Sequence, residues 1–228
     1  MIDIHTHVLP FVDDGSKSMD DSLNLLRVEA ESGVLDVVCT PHLRSNYRAD
    51  KEEVDKVFED VKSRLSQENI KVNIHLGREL YISKHYKSNV KTFSATMPNP
   101  KYVLIEFSFS FDCEVVETVY ELIGMGYTPI VAHPERYPYL TIDDVVDIKS
   151  AGGLIQINAD AITSSVFSRS GRFGKKLLGL DLVDFVASDI HYGRKNNLAK
   201  AYTIVSKKYG KEYADKLFKE NAKIIIEG

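Results

Sequence analysis

Two hydrophobic rhythms alternate along the 228-residue chain: short apolar, β-branched runs, and longer stretches whose apolar positions recur three or four apart. The short runs predict strands at residues 2–7, 35–40, 71–77, 102–105, 128–132, 154–158 and 182–187. Between the first two, Leu23, Leu26 and Ala30 mark a helix that Ser16 or Ser18 can cap and that Gly33 ends. Val54, Val57, Phe58, Val61 and Leu65 line one stripe of an outer helix over 50–68. Further helices are expected at about 112–125, ahead of Gly152-Gly153, at about 197–208 and at 212–221. Seven strands alternating with helices imply a parallel sheet with right-handed crossovers. No linker, compositional break or close repeat divides the chain, so residues 1–228 are expected to form one domain.

The residues that follow the strands add chemistry to this pattern. The first run ends in His5-Thr6-His7, and side chains two apart on a strand share a face about 6 to 7 Å apart, so both imidazoles can aim at one point. His42 follows Pro41 after the second strand, Glu79 follows the third, Glu106 the fourth and His133 the fifth, while Asp189 and His191 follow the seventh. Asp14 lies in the turn-rich loop after the first strand, next to Asp13; only one carboxylate of that pair is expected to point inward. Five of the chain's seven histidines are in this set. The strand ends of a closed barrel converge on one face, where active sites of that fold are found. In an open doubly wound sheet the outer strands would hold their groups too far from the switch point. The expected fold is therefore α/β, a triosephosphate-isomerase-like barrel one strand short. One metal takes about three or four protein ligands, so nine groups suggest two or three metals sharing carboxylates. Imidazole with carboxylate suits manganese, zinc or iron.

Composition narrows the partners. A net charge of −4 without a basic block argues against a nucleic-acid surface, and no apolar run approaches the roughly 20 residues of a membrane span. A cytoplasmic protein without membrane insertion is expected. Cys39 and Cys113 are too few for a disulfide framework. Neither fits a cysteine phosphatase, in which Cys, five residues and Arg cradle phosphate: Arg44 comes one residue too early after Cys39, and Cys113 has no arginine in range. His75 and His85, the latter in an expected helix, read as structural or exposed. The Phe107-Ser108-Phe109-Ser110-Phe111 alternation reads as packing, with an aromatic substrate pocket as the alternative, and Arg44 and Arg48 as a loop near the site.

Ile4-His5-Thr6-His7, Asp13-Asp14-Gly15, Thr40-Pro41-His42, Gly77-Arg78-Glu79, Leu104-Ile105-Glu106-Phe107, Ala132-His133-Pro134-Glu135-Arg136 and Ala187-Ser188-Asp189-Ile190-His191 together resemble the polymerase-and-histidinol-phosphatase (PHP) superfamily. The whole chain is similar to its bacterial manganese-dependent protein tyrosine phosphatases of capsule and exopolysaccharide synthesis. That resemblance implies a distorted seven-stranded (β/α) barrel with a trinuclear site. His5, His7, Glu79 and Asp189 would hold one metal, Glu79, Glu106 and His133 a second, and Asp14, His42 and His191 a third. Leu43 and Tyr192 depart from related sequences, which can carry a histidine and an asparagine there; both positions bear on substrate preference.

Three divalent ions against four carboxylates leave about +2 locally, which favours a phosphate dianion in an otherwise acidic protein. A water bridging such metals has a pKa lowered toward roughly 7 and can attack phosphorus. Arg136 and Arg194 follow the fifth- and seventh-strand motifs and are candidates to bind two phosphate oxygens each; the plain alternatives are an ion pair with Glu135 and a solvated loop residue. The expected reaction is hydrolysis of phosphotyrosine in proteins. The resemblance points to the tyrosine-rich tail of a bacterial tyrosine kinase as substrate. Histidinol phosphate or another small phosphomonoester, a phosphodiester-cleaving nuclease and a silent metal-stabilised regulatory module remain alternatives.

Overall fold

The computed structural model describes residues 1–47, 49–92, 96–111, 113–165 and 167–227. Its strands are β1 (Ile2–Thr6), β2 (Asp36–Cys39), β3 (His42–Leu43), β4 (Asn73–Leu76), β5 (Glu79–Tyr81), β6 (Tyr102–Glu106), β7 (Thr128–Ala132), β8 (Leu154–Asn158) and β9 (Phe185–Ala187). All pairings between them are parallel, in two sheets ordered β1-β2-β4 and β3-β5-β6-β7-β8-β9. Among the described residues nine strands thus stand where seven were expected. The additional two are continuations: β3 resumes β2 past Pro41, which has no N–H to pair, and β5 resumes β4 past Gly77-Arg78. Backbone bonds carry the pairing through these breaks, from Gly77 N to Cys39 O (2.9 Å) and from Glu79 N to Pro41 O (3.3 Å). β1 and β9 meet through the isolated bridge Thr6–Ile190 and the bonds His7 N to Ile190 O (3.0 Å) and Asp189 N to His5 O (2.9 Å).

The helices are α1 (Met19–Glu31), α2 (Lys51–Gln67), α3 (Tyr86–Thr92), α4 (Val115–Gly124), α5 (Ile142–Ala151), α6 (Ala159–Thr163), α7 (Arg169–Gly179), α8 (Leu198–Tyr209), α9 (Lys211–Asp215) and α10 (Asn221–Ile226). Ser18, rather than Ser16, caps α1 by accepting from Asp21 N, and Asp50 with Glu53 forms a reciprocal capping box on α2. The helix expected from residue 112 begins at Val115, and Asp112 itself lies outside the described residues. α6 and α7 carry no signal in the sequence, while the helix expected around His85 is α3, which starts one residue later and leaves His85 in the preceding turn.

Two apolar clusters hold the fold. One lies between strands and helices, with Leu23 and Leu26 of α1, Val61 of α2 and Val119 of α4 among its members. The other joins Ile4, Val38, Leu104, Ile130 and Phe185 to Ala222 and Ile225 of α10, beside Tyr102 and Leu154 at the starts of their strands. α10 therefore covers the end of the sheets opposite the strand C-termini. Among the described residues no helix is long and apolar enough to cross a membrane.

Candidate metal centre

The strand C-termini bring all nine sequence-derived candidates together. A β-bulge places the first two. Asp3 pairs with Val37 and Thr6 with Cys39, so β1 spends one more residue than β2 over this interval. The extra residue reverses the side-chain parity: Ile2 and Ile4 face the interior cluster, and His5 and His7 then converge beyond it, Nε2 to Nε2 3.2 Å. His133 and Asp189, each just past a strand, have left-handed backbones (φ 34° and 51°), unusual for residues with a Cβ. These kinks turn both side chains across the strand ends.

Glu79 is the hub. Its Oε1 lies 3.3 Å from His5 Nε2 and 3.1 Å from His133 Nε2, and its Oε2 lies 3.2 Å from His7 Nε2 and 2.9 Å from His42 Nδ1. Glu106 stands 3.8 Å from both His42 and His133. Asp189 Oδ1 lies 3.5 to 3.6 Å from His5, His7 and His191. Asp14 Oδ1 lies 3.4 Å from His42 Nε2 and 3.5 Å from His191 Nε2. Donor atoms fall into four overlapping groups within 4.8 Å: His7, Asp14, His42 and His191; His5, His7 and Asp189; His5, Glu79 and His133; and His42, Glu79 and Glu106.

Surrounding residues fix the rings. Asp13 accepts from His7 Nδ1 at 2.7 Å, from Gly15 N and from His42 N, which orients the His7 Nε2 toward the cluster. Both members of the acidic pair are therefore engaged: Asp13 is buried behind His7, and half-exposed Asp14 faces the cluster. The loop can fold this tightly because Gly15 lacks a Cβ, which would stand 2.0 Å from His7 O. Gln156 Oε1 pairs with His5 Nδ1 (2.9 Å), Gln156 donates to Asn158, and Asn158 donates to Asp189 Oδ2 (2.7 Å). Sequence reasoning missed this chain, although two polar residues alternating in the apolar run Leu154–Asn158 were its signal. Tyr47 was also missed; its ring stacks on His42 at 5.4 Å, and burial with the Asp14 carboxylate pushes its hydroxyl up to about 12.

The charges are mutually dependent. Burial works against a charged His5, yet Glu79 and Asp189 outweigh it and raise the imidazole to about 9. Burial and Glu79 push Glu106 up to about 7, and burial brings His133 down to about 4. His42 Nδ1, Glu79 Oε2, Glu106 Oε2 and His133 Nδ1 are buried without a hydrogen bond, the first two despite their 2.9 Å approach. Orphaned polar atoms are costly and rare in a folded interior. Divalent cations between these imidazoles and carboxylates would satisfy them, and a donor set without thiolate suits manganese, zinc or iron. The residues present fit such ions.

Arg136 does not form the ion pair with Glu135 that was the plain alternative to phosphate binding. Its Nη1 donates to Asp189 Oδ2 at 3.1 Å, while Glu135 is buried, accepts from Asn158 N and is raised by burial to about 8. Arg194 Nη1 stands 3.9 Å from the same Asp189 oxygen. Arg44 stacks on Tyr81, and Arg48 lies outside the described residues. His75 is a structural residue bonded to Asp36. Cys39 is fully buried, which raises its thiol, and Cys113 is partly exposed. Leu43 packs partly against the main core, and Tyr192 is half-exposed with Lys17 over its ring.

The family profile described as "Capsular polysaccharide synthesis, CpsB/CapC" matches residues 1–227. Tyrosine-protein phosphatase CpsB of Streptococcus agalactiae is 35% identical over 238 aligned positions, covering 99% of this chain and 98% of that protein. A solved structure from work on YwqE of Bacillus subtilis and CpsB of Streptococcus pneumoniae, described as metal-dependent tyrosine phosphatases, superposes with a TM-score of 0.89 at 28% identity, covering 99% of this chain and 94% of the other. Histidinol phosphate phosphatase of Lactococcus lactis, solved with zinc, L-histidinol and phosphate, has a TM-score of 0.61 at 14% identity over 90% of this chain and 93% of the other, a likeness of fold alone.

Proposed function

This chain belongs to the CpsB/CapC family of capsular polysaccharide synthesis, and we propose that it is a metal-dependent phosphatase that hydrolyses phosphotyrosine in proteins. The observation that carries the reading is Glu79, a buried carboxylate within 3.3 Å of a nitrogen on each of four histidines. His5, His7, Asp14, His42, Glu79, Glu106, His133, Asp189 and His191 would hold two or three divalent ions, manganese first among them. Bound there, the ions supply positive charge and lower the pKa of the attacking water toward roughly 7.

The chain's own residues then divide the remaining work. Asp13 and Gln156 hold the His7 and His5 rings with Nε2 inward. Arg136 and Arg194 bind the phosphoryl oxygens as charge builds on them. A P–O bond to water forms as the water gives up a proton to solvent, the P–O bond to the tyrosyl oxygen breaks, and the phenolate takes a proton from solvent. With a leaving-group pKa of about 10, phenolate departs without a dedicated general acid. The substrate we favour is the tyrosine-rich tail of a bacterial tyrosine kinase, met in the cytoplasm. We further read β2 with β3 and β4 with β5 as single staves, which makes residues 1–228 one domain around a closed seven-staved barrel.

Cysteine alkylation separates this mechanism from a thiolate one. Alkylation of the native protein should modify Cys113, spare buried Cys39 and leave turnover unchanged, whereas chelation should abolish turnover; loss on alkylation would overturn the metal reading. Metal affinity should also depend on pH. His5 is raised in the folded, metal-free chain, so its proton stabilises that state fully below pH 6.5, and the contribution is lost as pH rises through about 9. A cation taking the Nε2 must displace that proton, so apparent affinity should rise with pH up to about 9 and then level. Calorimetric titration with manganese across this range checks it; a flat affinity would remove His5 from the ligand set.

A further inference from the structure

The Phe107–Phe111 alternation beyond Glu106 resolves into three different environments. Phe107 is fully buried and packs edge-on against Tyr137, as a core residue does. Phe111 is 64% exposed at the outer end of the loop. Phe109 is exposed over 37% of its surface, less than Phe111, and its neighbours belong to the site. The Arg136 guanidinium carbon lies 4.2 Å from its ring centroid, and the His133 and Tyr137 rings lie 5.8 and 5.7 Å away. Arg136 in turn donates to Asp189, and His133 contacts Glu79. A partly uncovered aromatic ring is thus fixed at the mouth of the cluster by the residues that would surround a bound phosphoryl group.

We infer that Phe109 is a specificity-determining residue: its uncovered surface meets the aromatic ring of an aryl phosphate whose phosphoryl group lies against Arg136. This rests on the phosphatase reading and deepens it by assigning the preference for an aryl over an alkyl ester to one side chain. An aryl phosphate carries its ring just beyond the ester oxygen, where it packs on Phe109 edge-to-face or offset. A small alkyl ester has nothing to place there. The same ring stacks on Arg136, so a neutral aromatic group rather than a second charge borders the guanidinium on this side.

Direct binding of non-hydrolysable phosphonates to manganese-loaded protein tests the assignment without turnover. Wild-type protein should bind phenylphosphonate more tightly than methylphosphonate. Phe109→Ala should weaken phenylphosphonate by about tenfold and leave methylphosphonate within about twofold, the scale of one lost aromatic contact. Phe109→Leu, which keeps apolar bulk beside Arg136, should lose most of the same preference, and Phe111→Ala should keep it. Equal weakening of both phosphonates would mean that Phe109 acts only by supporting Arg136, and would overturn the inference. So would wild-type protein that binds both alike, or a preference unchanged in Phe109→Ala. If the phenyl preference depends on Phe109 but no phosphotyrosyl peptide is hydrolysed, the phosphatase reading fails while the aryl subsite stands.

Discussion

Glu79→Gln is expected to lower kcat/KM for a phosphotyrosyl peptide by at least about 10³-fold, roughly 4 kcal/mol of transition-state stabilisation, with a parallel loss of bound metal. The substitution keeps the side chain's shape and removes its charge. Four buried imidazoles point at that carboxylate, two on each oxygen. Its ionised form is favoured strongly enough that its pKa falls well below the ordinary carboxylate range; burial opposes this, and His5 and His42 outweigh burial. A neutral amide cannot bridge cations and would set its NH2 group against one pair of imidazoles. Metal analysis of the purified variant beside its kinetics distinguishes the possibilities. Full metal content with full turnover would remove Glu79 from the centre.

Arg136→Ala is expected to lower kcat/KM by about 10²-fold, roughly 2.7 kcal/mol, while metal content stays at the wild-type level. Metal should be retained because Asp189, the residue Arg136 contacts, keeps its bond from Asn158 Nδ2 at 2.7 Å. Arg136→Lys should recover only part of the loss, since an ammonium restores charge but not the planar fork that binds two oxygens. Arg194→Ala should cost less, because that guanidinium is half-exposed and stands 3.9 Å from Asp189. Unchanged efficiency in Arg136→Ala would remove it from phosphate binding. A fall matched by metal loss would give it a structural role through Asp189 instead.

Much of the site could be read from the sequence because its residues follow apolar runs, and parallel strands bring their C-terminal ends to one face. His42, Glu79, Glu106 and His133 needed no more than that. The His5–His7 pair was placed by the right periodicity, but the bulge that gives these rings the parity of Ile2 and Ile4 leaves no mark in Ile-Asp-Ile-His-Thr-His. β3 and β5 were missed because strands of two and three residues after a proline and a glycine carry no periodicity of their own. Of the Asp13–Asp14 pair one carboxylate, Asp14, faces the cluster as expected, while the role of its buried neighbour on His7 Nδ1 leaves no mark in the sequence. The Glu135 ion pair, the plain alternative for Arg136, fails for a local reason. Adjacent residues on the tight turn Pro134–Arg136 point in different directions, so Glu135 reaches Asn158 and Arg136 reaches Asp189, more than fifty positions away in sequence.

The measurement that bears most directly on the proposed reaction is phosphate release by manganese-loaded protein from a phosphotyrosyl peptide and from histidinol phosphate, side by side, with a chelated control. Faster release from the peptide, abolished by chelation and restored by added metal, is the expected result. Release from histidinol phosphate alone, or peptide hydrolysis that survives chelation, would contradict it.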